Sequence, residues 1–360
     1  MVLTRTREEI LISPRLSDSR GKFGGVVVIG GTNIDLRGSP AGEVLERHTS
    51  NPGKINIGSG GVGRNIAHNL ALLNVPVTLL SAVGDDGEGI RILEETGKAG
   101  VMMEQMIISG EHPTGIYLAI LDEKGEMEVA ISDMQILEEI TLEYLRSKAY
   151  LIKESKIVVM DTNISEQSID YVVDLCNQVK VPILVEPVSV EKAKKLRNVL
   201  DGSGKWHIDY LTPSEDELES ILEEEIGRHQ DVSLVRAVEE LKRRGVKKVI
   251  VTLGERGIYT AYSEVGKGEQ NELWKGKFMS SYKGEVVDVT GAGDALVAGL
   301  VYGIYKGYPL EVAARFGLGA AALTISTKEA VRRDLREGLL RSRIEEEEEG
   351  GEAEKGGRLL

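Results

Sequence analysis

Residues Val287–Leu300 read VDVTGAGDALVAGL, and they decide more than any other stretch. An apolar strand end runs into Gly291-Ala292-Gly293, and Asp294 follows on the first turn of an apolar helix. That order aims unpaired backbone N–H groups and the positive end of a helix dipole at one point, where an anion can sit. It also sets a carboxylate beside the anion. Gly and Ala suit the turn because a larger side chain would hold a phosphate off the amides. An anion cradle with a base next to it is what phosphoryl transfer to a hydroxyl requires. Read alone, the motif could equally be an ordinary Gly-rich turn.

Working outward, the chain alternates. Apolar runs at Gly25–Gly30, Lys156–Asp161, Pro182–Glu186, Tyr210–Leu211 and Lys248–Leu253 are separated by helical patterns over 166–179, 215–224, 232–244 and 308–327. This predicts an α/β fold, a doubly wound and mostly parallel sheet built from βαβ units. Two stretches depart from the rhythm. Residues 114–132 read as a hairpin turning at Asp122–Gly125, and 51–58 could add a strand beside it. We expect a small inserted β lid that excludes water from an open site. One large domain then spans 25–330, with residues 1–24 as a polar extension and 331–360 as a charged, solvated tail.

Composition narrows the function. The 360 residues carry 44 Lys and Arg against 58 Asp and Glu, a net charge of −14. This argues against nucleic acid or an anionic membrane as partner and for a small-molecule substrate. No apolar run reaches membrane-spanning length, and the amino terminus lacks a signal-peptide core, so a cytoplasmic protein is expected. The single cysteine, Cys176, excludes an internal disulfide framework and is expected to be a buried helix residue. The five histidines show no metal-ligand spacing, and His68 is expected on a partly exposed helix face.

A second motif, Gly58-Ser59-Gly60-Gly61-Val62-Gly63-Arg64-Asn65-Ile66-Ala67, opens a helix with Asn65 projecting into the same cleft. It is no Walker P-loop and no dinucleotide fingerprint. Upstream, Gly30-Gly31-Thr32-Asn33-Ile34-Asp35 places Asp35 just past a strand end, where it could accept hydrogen bonds from vicinal hydroxyls or simply cap a turn.

GSGGVGRNIA early and DVTGAGDALVAG late resemble the two signatures of the ribokinase-like (PfkB) carbohydrate kinases, and the likeness covers residues 25–330. SNPGKI at 50–55, GGVGRNIAHNLALL at 60–73, SDM at 132–134 and EPVS at 186–189 are similar in wording to the pseudouridine kinases of that family. The resemblance implies an ATP- and Mg²⁺-dependent phosphotransferase acting on a nucleoside 5′-hydroxyl. Asp294 is then the base and Gly291, Ala292 and Gly293 the anion hole. Asp35, Gly61, Asn65 and Asn163 match sugar-binding positions. Glu217 matches the acid that organises magnesium, and Ser214 stands where the family has Asn. Thr252 and Gly254 fall where the nucleotide lies. Asp288 and Thr290 match a potassium site, although Asp288 could instead bond the turn amides. Asp133, on the lid side, could accept the extra N1–H of pseudouridine. An aspartate at its ordinary pKa of about 4 is a weak base for a hydroxyl, so its position is expected to matter more than its basicity. Relatives with such lids often pair through them, so a homodimer is expected. The runner-up readings are a kinase for another ribonucleoside or ribose, and a non-catalytic sugar sensor. Against the sensor, pure binding has no need of Asp294.

Overall fold

The parallel strands are short and almost wholly apolar because helices cover both of their faces. The computed structural model describes residues 24–42, 45–122, 124–227, 231–265 and 272–356. All of the expected amino-terminal extension except Gly24 therefore lies outside the described residues. The strands in chain order are β1 (Val26–Ile29), β2 (Asn33–Pro40), β3 (Gly53–Gly60), β4 (Val77–Leu80), β5 (Ala82–Gly84), β6 (Ile107–Ser109), β7 (Ile116–Leu121), β8 (Met127–Asp133), β9 (Ile157–Asp161), β10 (Ile183–Glu186), β11 (Tyr210–Leu211), β12 (Lys248–Thr252), β13 (Ile258–Val265) and β14 (Glu272–Met279).

Among the described residues the main sheet has eight strands in the order β14-β13-β12-β11-β10-β9-β1-β4. From β4 to β12 the pairing is parallel, and β13 and β14 close one edge antiparallel. Alternate side chains feed two separate cores. Val27, Ile29, Val158, Met160, Ile183 and Val185 pack on one face; Val26, Val28, Ile157, Val159 and Leu184 pack on the other. On the first face lie α3 (Glu166–Val179), α4 (Glu215–Leu222) and α5 (Asp231–Arg243). On the second lie α1 (Val62–Leu72), α2 (Gly87–Lys98), α6 (Ala292–Tyr305) and α7 (Leu310–Ile325). This is the expected doubly wound, mostly parallel arrangement. Cys176 is buried in α3, as expected, and burial pushes its thiol well above the ordinary range.

The lid is a four-stranded sheet in the order β3-β2-β7-β8. The hairpin of β7 and β8 forms as read, and the third strand is shifted to Gly53–Gly60. Asp35 departs from expectation. It is not past a strand end but inside β2, which pairs antiparallel with β3 and parallel with β7. The interrupted pattern NIDLRGSP, half exposed along most of its length, hides this strand from a search for apolar runs.

Two further expectations are corrected. Val287 and Val289 do not end a strand. They sit in an exposed loop, with the Val287 and Asp288 amides donating to the Ile325 carbonyl at 2.8 and 3.2 Å. The carboxy-terminal segment is not a solvated tail at its start. It forms α8 (Glu337–Gly356), which buries Leu340 completely and packs Ile344 against the core. Its acidic run is partly neutralised along the helix, with Arg343 3.1 Å from Glu347 and Arg315 paired to Glu348.

Candidate active site

The carboxyl ends of the parallel strands converge where an open α/β sheet binds ligands. β1 leads into Gly30-Gly31, β9 ends in Asp161, β10 in Glu186 and β12 in Thr252, and the turn after β11 carries Ser214. Over this edge stand the first turns of α1 and α6.

Asp294 occupies the first turn of α6. Protein atoms surround its carboxylate, and the residue as a whole is half-buried. Burial, countered by the Asn65 bond and augmented by the charges of Asp161 and Asp35, lifts its pKa from 3.8 to about 7. The sequence reading assumed a weak base rescued by position, and the site supplies a stronger one. Asn65 Nδ2 donates to Asp294 Oδ2 at 2.8 Å, and Asn65 Oδ1 accepts from Arg64 at 2.7 Å. The two bonds together fix which way the amide faces.

Arg64, unremarked in the sequence, is buried and held by the Gly60 carbonyl at 2.9 Å, the Ser59 carbonyl and His68 Nδ1 at 3.2 Å. Burial lowers its pKa to about 10, so it remains a cation at neutral pH. His68 is buried rather than partly exposed. Burial and the Arg64 charge depress it to about 4, which keeps it neutral.

The Gly291–Gly293 turn has glycine-specific geometry at its start and an open face at its end. Gly291 has φ 76°, and a Cβ there would lie 2.0 Å from the Ala330 carbonyl oxygen, so only glycine fits. Gly293 faces open space, and its amide and that of Asp294 have no intrahelical acceptor. Ala292 departs from expectation because its N–H donates within the turn to the Val289 carbonyl at 3.2 Å.

Asp161 was overlooked as a site residue. Its buried carboxylate accepts the amides of Gly31 at 2.8 Å, Gly63 at 2.9 Å and Asn163 at 2.9 Å, tying both Gly-rich loops to β9. The signal was present as a lone acid closing an apolar strand. Gly61 lies between these loops at φ 95°, and a Cβ there would meet the Gly31 carbonyl oxygen at 2.4 Å. Asn163 Oδ1 accepts from Lys192 at 2.5 Å. Asp35 accepts from Asn33 at 2.7 Å, and burial raises its pKa against the pull of Asn33, Arg64 and Arg37. Asp133 is brought to none of these groups; it ends β8 on the lid, exposed, opposite Ile116.

Two cavities flank this centre. One, of about 460 Å³, is lined by Asp35, Ser59, Arg64, His68 and Asp288 among others. The second, of about 610 Å³, is lined by Ser214, Thr252 and Gly254, the three residues expected at a nucleotide. Both volumes suit small molecules. The Ser214 hydroxyl, however, caps α4 by accepting from the Glu217 amide at 3.3 Å, while Glu217 Oε2 accepts the Ser214 amide at 2.8 Å. The serine that replaces the family asparagine is thus spent on a capping box.

Two implied cations fare differently. Burial raises the carboxyls of Glu186 and Glu217, and Glu217's charge raises Glu186 further. Two acids at this edge suit Mg²⁺, which is commonly held by one or two carboxylates plus substrate phosphates, and among the described residues no cluster of three metal-ligating side chains forms. A potassium ion does not fit Asp288 and Thr290. Arg37 of β2 donates to Asp288 Oδ2 at 2.6 Å and to Thr290 Oγ1 at 3.0 Å. Asp288 Oδ1 also accepts the Thr290 amide at 2.9 Å, the turn-bonding alternative to a metal role.

Comparison with known proteins agrees with this geometry. The model of the pfkB family carbohydrate kinases matches residues 24–335. The pseudouridine kinase of Escherichia coli (strain K12) is 38% identical over 301 residues, 84% of this chain and 90% of that protein. An uncharacterized sugar kinase of the same bacterium is 35% identical over 298 residues, 83% of this chain and 77% of that one. The crystal structure of a putative sugar kinase from Clostridium perfringens superposes with a TM-score of 0.72 at 28% identity, covering 90% of this chain and 96% of that one. With its sheet, lid, Gly-rich loops and anion turn, the chain belongs to the pfkB family of carbohydrate kinases, ATP-dependent enzymes acting on small sugar or nucleoside substrates.

Proposed function

We propose that the protein transfers the γ-phosphoryl group of ATP to the 5′-hydroxyl of pseudouridine. For the chemistry, the carrying observation is the 2.8 Å bond from Asn65 to an Asp294 whose pKa is raised to about 7 beside the Gly291–Gly293 turn. For the substrate, support comes from the 38% identity to a pseudouridine kinase over most of both chains.

In this reading the nucleoside lies in the cavity that Asp35 lines, with its sugar hydroxyls on Asp35, Asn65, Asn163 and the Gly61 backbone. Asp294 takes the proton of the 5′-hydroxyl as its oxygen bonds to the γ-phosphorus, and the bond from that phosphorus to the β,γ-bridging oxygen breaks to release ADP. The amides of Gly293 and Asp294 face the charge on the phosphoryl oxygens. ATP lies along Ser214, Thr252 and Gly254. Glu217 and Glu186 would hold magnesium, which would supply neutralisation of the phosphate charge. Two protomers meet through the outer lid face, where Ile55, Met127 and Ile131 are 71%, 61% and 64% exposed.

The substrate assignment is tested by comparing pseudouridine with uridine as acceptors at equal concentration. Pseudouridine should be turned over far faster. Equal or faster turnover of uridine would rule the assignment out.

A further inference from the structure

The oxygens expected to hold a potassium ion already surround a cation, and that cation belongs to the protein. Arg37 projects from β2 on the same face as Asp35, two residues before it. Its guanidinium meets Asp288 Oδ2 at 2.6 Å, Thr290 Oγ1 at 3.0 Å and the Lys328 carbonyl at 3.4 Å. These acceptors come from two segments, the loop entering the anion turn and the stretch after α7. The same two segments are joined by the Val287 and Asp288 amides on the Ile325 carbonyl and by the tight fit of Gly291 against Ala330. The Arg37 and Asp288 side chains are each 24% exposed, enough shielding for the pair to hold its geometry.

We propose that Arg37 is a tethered replacement for a dissociable monovalent cation, a positioning residue that joins the lid to the anion turn. One guanidinium holds the Asp288–Thr290 loop, from which Gly291 turns into α6. The strand that presents Asp35 to the substrate is bonded through Arg37 to the loop that shapes the phosphate cradle. Arginine suits this place because its planar fork can bond several oxygens at once and its charge is permanent, whereas lysine offers a point charge. The inference rests on the kinase reading of Gly291–Gly293 but not on pseudouridine as acceptor.

The test compares wild type, Arg37→Met and Arg37→Lys in potassium, sodium and tetramethylammonium chlorides at equal ionic strength. Thermal melting is followed without substrate, and kcat and KM are followed with ATP and the best acceptor. Wild type should melt and turn over alike in all three salts. Arg37→Met should lose about tenfold or more in kcat, with a smaller change in KM. It should also acquire a melting temperature that potassium raises and tetramethylammonium does not, with added methylguanidinium restoring turnover. Arg37→Lys should keep a rate between those of wild type and Arg37→Met and stay insensitive to salt. A wild type that requires potassium overturns the proposal. So does an Arg37→Met loss that no cation restores, a variant indistinguishable from wild type, or a lysine variant behaving like methionine. Because melting needs no acceptor, a wrong substrate assignment would leave that readout intact.

Discussion

Asp294 shows how a residue's neighbours change what its type alone implies. An aspartate on a helix N-terminal turn is ordinarily acidic, yet burial and the nearby acids Asp161 and Asp35 lift this one to about 7. Since kcat/KM reports the free enzyme, it should rise with pH up to an apparent pKa near 7 and level off above it. The Asn65 bond lowers the value, so Asn65→Ala should move that apparent pKa upward while reducing kcat; a profile unmoved by the substitution would contradict the bond's role. The same shift has a stability consequence. Between the ordinary and the raised pKa the folded state binds the extra proton, so stability falls as pH rises through that window. Asp294→Asn should therefore abolish turnover and raise the melting temperature, by more at pH 8 than at pH 5. At this scale the sequence revealed residue types and their spacing, which sufficed for Asp294, Asn65 and Gly291. It did not reveal Arg64, Asp161 or Arg37, whose roles exist only through partners distant in the chain, as when Arg37 reaches Asp288.

At the scale of elements, legibility followed burial. Strands covered on both faces, such as β1 and β9, announce themselves as unbroken β-branched runs, and α3 ends at the residues its periodicity predicts. Lid strand β2 mixes charge, glycine and proline because one face serves a polar site, and no apolar period marks it. α8 was misread for the converse reason: its acidic composition masks a few decisive apolar positions. Leu340, fully buried against Gly319 of α7, is one of them. Leu340→Ala should cost about 2–5 kcal/mol in denaturant unfolding, as core leucine truncations do. A loss below about 0.5 kcal/mol, as for surface substitutions, would mean that α8 is not part of the cooperative fold.

For the whole molecule, the lid sheet presents two unlike faces. Asp35 and Arg37 point inward to the site, while Ile57, Leu36, Leu118 and Ile131 align across the four strands on the other side. An exposed apolar sheet face of this kind is a place for a partner, and a second copy of the lid offers the same self-complementary surface. Ile131→Lys with Val129→Lys should shift the protein from dimer to monomer in sedimentation; a wild type already monomeric at micromolar concentration would contradict lid pairing. Described residues contain no helix long and apolar enough to cross a membrane. The central claim concerns the chemistry this architecture performs, and ADP release tests it most directly. ATP and magnesium would be offered with pseudouridine, uridine, adenosine, ribose and fructose 6-phosphate, to wild type and to Asp294→Asn. The account predicts strong turnover on pseudouridine, weak or none on the others, and none with the variant. Preferred turnover of another acceptor would contradict the substrate assignment, and wild-type rates in Asp294→Asn would contradict the base.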